Sequence, residues 1–185
     1  MEIKNKKEVL DALAAKTKWI EVQTRDNTLQ KEETELGINS LEFVDLGLPS
    51  GLLLATENVK DEDGNEALLP FDEAVEKYGE HMLTIEQWKE VIGNCTRKWD
   101  DDRKGLLLTG PNGNTVFLPA AGFRLRADVN SVGFSGNYWS GTPYSSHDDS
   151  DAYSVVFYSG YMNPRIHYFR YYGFAVRLAR KPKNI

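Results

Sequence analysis

The chain has 185 residues, 28 acidic against 22 basic, a net charge of −6 and 41% hydrophobic residues, which excludes a disordered or collagen-like chain and fits one globular domain of ordinary size. No stretch approaches the roughly 18 apolar residues of a membrane helix, and Met1-Glu2-Ile3-Lys4 opens no apolar run of signal-peptide type, so neither membrane insertion nor an export signal is expected. The lone Cys95 excludes an internal disulfide and a cysteine-based zinc cluster, and a pI near 5.2 argues against a nucleic-acid partner.

Residues 1–41 read as an N-terminal appendage. Asn5 with Glu8 three residues on, followed by Val9, Leu10 and Leu13 at helical spacing, predicts a short helix over 6–16. Trp19, Ile20 and Val22 read as a strand, and the polar, aperiodic run 24–40 as a loop or linker. The main domain, 42–185, opens with Phe43 to Leu46 and Leu52 to Ala55 as two strands around a Gly-Leu-Pro-Ser-Gly turn. Pro70 and Gly79 frame a helix over 71–78. Thr84 with Gln87 forms a capping box for a second helix with Ile85, Trp88, Val91 and Ile92 on its apolar face and Gly93 at its end. Strands follow: 106–108 and 116–118 around Asn112-Gly113, a hairpin signal, then 138–140, 152–158 and 174–178. Two helices followed by short strands and long loops predict an α+β domain with a mainly antiparallel, irregular sheet.

The chain offers little to chemistry. His81, His147 and His167 are too scattered for a metal-ligand spacing, and Gly133-Phe134-Ser135-Gly136 lacks the form of a nucleophile elbow. Asp61, Asp63, Asn65 and Asp72 fall at positions 1, 3, 5 and 12 of a notional calcium loop, but Glu66 stands where the turn demands glycine. His147 to Asp151 is a second acidic loop. No metal, cofactor or catalytic residue is expected, and Arg124, Arg170 and Arg177 are read as structural arginines.

Composition is more informative. Residues 127–185 carry a net +2 against −8 for the rest, and hold eight of the nine tyrosines and eight of the ten serines, with neither glutamate nor glutamine. Tyrosine supplies rigid amphipathic contact area and serine adaptable hydrogen bonds, the mixture of binding loops; strand and turn propensities account for part of the same enrichment. Alternation in 152–158 turns Tyr153, Val155 and Phe157 inward and Ser154, Val156 and Tyr158 outward. Together with Tyr161, Asn163, Arg165, His167, Tyr168 and Tyr171, and with Asn137 and Tyr144 nearby, these outward residues are expected to form one contiguous exposed ligand-binding surface. Trp139, Phe157 and Val176 are expected in the core.

Several linked motifs carry a resemblance. Phe43-Val44-Asp45-Leu46-Gly47-Leu48-Pro49-Ser50-Gly51-Leu52, Gly110-Pro111-Asn112-Gly113-Asn114, Phe117-Leu118-Pro119-Ala120-Ala121-Gly122-Phe123-Arg124, Tyr138-Trp139-Ser140-Gly141-Thr142-Pro143 and Arg170-Tyr171-Tyr172-Gly173-Phe174-Ala175-Val176-Arg177 resemble the major-paralogous-domain family of gut bacteria and their phages over about residues 42–180. The resemblance implies a C-type lectin-like fold, shared with the variable proteins of diversity-generating retroelements, whose C-terminal codons are rewritten at adenines to diversify a binding surface. The single cysteine departs from the cysteine pair of formylglycine-generating enzymes of related architecture, and Met162-Asn163-Pro164-Arg165 does not match the Glu-Pro-Asn motif of calcium-dependent lectins. The expectation is therefore a non-enzymatic binding domain for a protein or glycan ligand, its compartment left open, with a virion or cell surface as one option. The alternative is a structural module of a phage tail or cell-surface assembly, its aromatic face packed on a neighbouring subunit.

Overall fold

In the computed structural model of the chain, residues 2–145 and 149–181 are described, with the backbone alone at 2–6, 32 and 35. The chain divides into two compact units, Met1–Leu41 and Glu42–Ile185.

The first unit corrects the sequence expectation. A single helix, α1 (Glu2–Glu35), replaces the short helix, strand and linker. No proline or glycine occurs before Gly37, and a four-residue β-prone stretch between Ala-, Lys-, Glu- and Gln-rich flanks cannot interrupt a cooperative helix. The threonines that weaken helix propensity are accommodated: the hydroxyls of Thr17, Thr28 and Thr34 donate to the carbonyls of Leu13, Thr24 and Gln30 at 2.8–3.0 Å, one turn back. Gly37, at φ +69°, takes the left-handed conformation that ends the helix, its N–H donating to Thr34 O.

The second unit is α+β, with four small antiparallel sheets among the described residues. β1 (Phe43–Asp45) and β2 (Leu53–Asn58) pair as expected, and β11 (Arg177–Arg180) lies on the other edge of β2. Helix α2 (Phe71–Tyr78) follows Pro70. Helix α3 (Ile85–Asn94) has the complete capping box: Gln87 N–H donates to Thr84 Oγ1 and Thr84 N–H to Gln87 Oε1. It runs through Gly93 rather than stopping there, because Cys95 N–H still reaches Val91 O. β4 (Gly105–Thr109) and β5 (Thr115–Pro119) form the expected hairpin, with Gly113 at φ +87° in its turn.

The sequence reading missed β3 (Thr96–Asp100), a polar edge strand on β4 without apolar alternation, and the short β6 (Phe123–Leu125) and β7 (Asp128–Asn130). It also missed a 9-residue strand, β10 (Tyr161–Phe169), which pairs with β9 (Asp151–Tyr158), itself paired to β8 (Ser135–Pro143). The expected strand at 174–178 begins only at Arg177. Before it, Phe174 and Ala175 make single bridges to Leu69 and Tyr138.

One face of the β8–β9–β10 sheet carries Tyr138, Val155 and Phe157 into a core shared with Trp88 and Val91 of α3 and with Leu106, Leu108, Val116 and Leu118 of the β4–β5 hairpin. The opposite face is also covered. Trp139 packs there between Phe71 and Phe174, ring centroids 5.5 and 4.3 Å away, and its Nε1 donates to Leu69 O at 2.8 Å. Trp139, Phe157 and Val176 are buried, at 1%, 0% and 0% exposure. On the first face Gly136 lies opposite Phe157 on β9, and any Cβ there would run into the Phe157 ring.

Candidate functional site

Burial of both faces of β9 corrects the expected surface. Ser154 and Val156 do point away from Val155 and Phe157, but as residues of a central strand they lie under neighbours, at 0% and 8% exposure, and Ser154 Oγ donates to Ile166 O at 3.2 Å. Asn137 is likewise internal, its Nδ2 donating to Gly122 O and Ser135 Oγ. None of these three lies on an exposed surface. Alternation distinguishes two faces of a strand, not a wet face from a dry one.

β10 also breaks its own alternation. Asn163 opposes Val156 and Ile166 opposes Ser154, so three steps on one strand match two on the other: a bulge at Pro164-Arg165. Beyond it the parity reverses. His167 and Phe169 share the face of Met162, and Tyr168 shares that of Tyr161 and falls half-buried against Tyr172 and Phe174, at 5.6 and 5.2 Å. Pro164 was the available signal, since a proline inside a strand pattern marks an edge or a bulge.

The remaining positions gather at the two ends of β10, about 26 Å apart at the usual rise per strand residue, rather than in one patch. At the hairpin tip, Tyr158 and Tyr161 stack across a two-residue turn at 4.6 Å, with Gly160 at φ +80°. Asn163 Nδ2 donates to Tyr161 Oη, Asn163 Oδ1 accepts the Arg165 N–H, and the Arg165 side chain is exposed. A cleft of about 300 Å³ lies beside the tip, lined by Arg97, Trp99, Leu106, Gly160, Tyr161 and Met162.

The other end is richer. His167 Nδ1 lies 2.7 Å from Asp151 Oδ2, and its ring stacks on Tyr144 at 3.9 Å, which in turn meets Tyr153 edge-on. Next to them Phe169 and Tyr171 are exposed, at 48% and 60%, with rings stacked 5.4 Å apart. They are not loose ornaments: Tyr171 stacks on Tyr172, Tyr172 meets Phe123, Tyr168 and Phe174, and Phe174 lies on Trp139. A continuous chain of rings thus links the exposed pair to the core. A cleft of about 490 Å³ opens beside the pair, between Pro70, Asp72, Asp149, Ser150, Phe169, Arg170 and Tyr171. Arg170 braces it, donating from Nη1 to Asp72 Oδ1 at 3.2 Å and from Nε to Asp151 O at 3.3 Å. Phe169, Asp72 and Ser150 were not among the expected site residues, because β10 was not foreseen as a strand, which left nothing to set Phe169 apart from its neighbours, and because only the tertiary fold brings α2 alongside.

The arginines are structural. Arg177 is buried, its Nε, Nη1 and Nη2 donating to Asn58 Oδ1, Ala55 O and Phe117 O at 2.6–2.8 Å. Burial lowers its pKa, with Tyr138 and Glu66 acting the other way. Tyr138 completes the network, accepting from Asn58 Nδ2 and donating to Pro119 O, both at 2.9 Å; burial holds its hydroxyl well above the ordinary 10.0. Arg124 donates from Nε to Leu68 O.

The acidic turn at 61–65 uses its own oxygens: Asp61 Oδ1 accepts from the N–H groups of Asp63 and Asn65, while Asp72, on α2, pairs with Arg170. Among the described residues no group of three or more His, Cys, Asp or Glu side chains is placed to hold a metal ion, and no helix is long and apolar enough to cross a membrane. His147 and Asp148 lie outside the described residues.

A family model described as a domain of unknown function (DUF8237) matches residues 97–179, a span that runs from β3 into β11 and takes in both ends of β10. No curated protein and no solved structure matches the chain.

Proposed function

We propose that residues 42–185 form a non-enzymatic, C-type lectin-like binding domain, a retroelement-diversified variable protein that meets a protein or glycan ligand at the Phe169–Tyr171 end of the β8–β9–β10 sheet. One observation carries the reading: an exposed, stacked aromatic pair anchored to the core through a chain of rings beside a cleft with charged and hydroxyl groups. Rings held in place by their neighbours lose little entropy on binding, and aromatic residues dominate interface energetics. Tyr144, His167 and Tyr153 extend the surface, and the Tyr- and Ser-rich composition of 127–185 suits diversification of such a face.

Two measurements test it. Wild-type protein applied to immobilised glycans and to intact bacterial cells should bind, and the paired Phe169→Ser, Tyr171→Ser variant should lose that binding at an unchanged melting temperature. Binding that survives the paired substitution rejects the site. Diversification predicts a reverse transcriptase gene and a near-copy template repeat beside the coding sequence, with differences confined to adenines in codons of exposed residues; a neighbourhood without the repeat rejects that part.

A further inference from the structure

The first unit carries apolar surface that the C-terminal site does not use. Val9, Leu10, Leu13, Trp19, Ile20 and Val22 of α1 are between 47% and 64% exposed, a density unusual for a helix facing only water. They fall in two stripes. Leu10, Leu13, Thr17, Ile20 and Thr24 repeat at alternating steps of three and four, the spacing of a helix-packing seam, with Val9 beside them. Ala12, Ala15, Trp19 and Val22 repeat the pattern on roughly the opposite side of the helix.

Charge runs along the same helix with a definite polarity. Residues 2–18 hold five lysines against three acids, a net +2, and residues 19–35 hold five acids against two bases, a net −3. This is the reverse of what an isolated helix favours. The macrodipole places partial positive charge at the N-terminus and negative at the C-terminus, yet Lys4, Lys6 and Lys7 sit near the former, and the last turn has no basic residue and ends on Glu32, Glu33 and Glu35. An antiparallel neighbour of the same sequence removes the conflict. It sets each basic half beside an acidic half and opposes the two dipoles, whereas a parallel copy would double both.

We infer that α1 is a self-assembly element whose Leu10–Leu13–Thr17–Ile20 seam packs antiparallel against a second copy of this chain. The Trp19–Val22 stripe, on the far side, allows paired helices to pair again, so the assembly is even-numbered, a dimer or a tetramer. Several copies of the C-terminal binding unit are thereby joined, which raises avidity without any new contact to the ligand.

The experiment uses the full chain. Sedimentation equilibrium should give twice or four times the 21.0 kDa protomer mass, and the Leu13→Asp, Ile20→Asp variant should sediment as a monomer. Orientation is read with cysteines placed on α1, the native Cys95 being buried. Lys7→Cys and Thr28→Cys chains, whose positions flank the same edge of the seam three residues before Leu10 and four after Thr24, should each fail to form disulfide-linked dimers alone and should form them when mixed, a result that holds even if the aspartate variant loses its helix. A monomer at every concentration overturns the inference. So does cross-linking of either single variant with itself but not in the mixture, or a trimeric mass.

Discussion

Phe157 shows how much one side chain organises. It is fully buried between Gly136, Tyr138 and the α3 side of the core, so Phe157→Ala should cost about 3–5 kcal/mol, the usual loss for a large buried aromatic. Urea unfolding followed by tryptophan fluorescence measures it, and an unchanged midpoint would contradict the packing. Tyr138 gives the residue scale its pH dependence. Because burial raises its folded pKa above 10.0, its contribution to stability is complete below pH 10 and is lost as pH climbs beyond it. The buried Cys95 thiol acts in the same direction from about its ordinary 9.0 upward. The urea midpoint should therefore fall between pH 8 and pH 11. Tyr138→Phe, less stable at pH 8 for want of its bonds to Asn58 and Pro119, should fall by less over the same interval.

At the scale of elements, β10 decides which tyrosines are exposed and which are half-buried. Tyr158 and Tyr161 are exposed and stack on each other, so replacing both with serine should change stability by about 0.5 kcal/mol or less. Tyr168 lies beyond the bulge, half-buried against Tyr172 and Phe174, and Tyr168→Ser should cost about 1–3 kcal/mol. Chemical denaturation of the two variants side by side separates them; equal midpoints would mean that the parity of β10 does not reverse. Helix α1 teaches a parallel lesson. Its local β-prone stretch, Trp19 to Val22, is overruled by the helix formers on either side, since interrupting a helix requires a second costly nucleation.

At the scale of the whole molecule, the division at Leu41 and Glu42 implies that the C-terminal unit folds without α1. A chain of residues 42–185 should melt cooperatively within a few degrees of the full chain, read by near-ultraviolet circular dichroism. Loss of the transition would show that the core assigned to 42–185 is incomplete. The same truncation should reduce the particle to a monomer while leaving the proposed ligand contact at Phe169 and Tyr171 in place, which separates the assembly proposed for α1 from the binding proposed for the sheet.

How much of this was legible depended on the range of the interactions involved. Helices α2 and α3, the β4–β5 hairpin and the core positions Trp139, Phe157 and Val176 followed from capping residues, turn glycines and alternation, which are local signals between residues a few positions apart. The structural roles of Arg124 and Arg177, and the concentration of aromatic surface in 127–185, were also readable from residue type. What sequence could not decide was which neighbours cover each face. Ser154, Val156 and Asn137 alternate as surface residues do, yet flanking strands and the segment around Phe174 close over them. Phe169 shares the face of His167 only because a one-residue bulge at Pro164-Arg165 reverses the parity of β10, and the cleft beside it exists only because the fold brings Asp72 from a position 98 residues away to Arg170. Local propensity sets the elements; their exposure is a property of contacts between distant parts of the chain, and those exist only once the chain has folded.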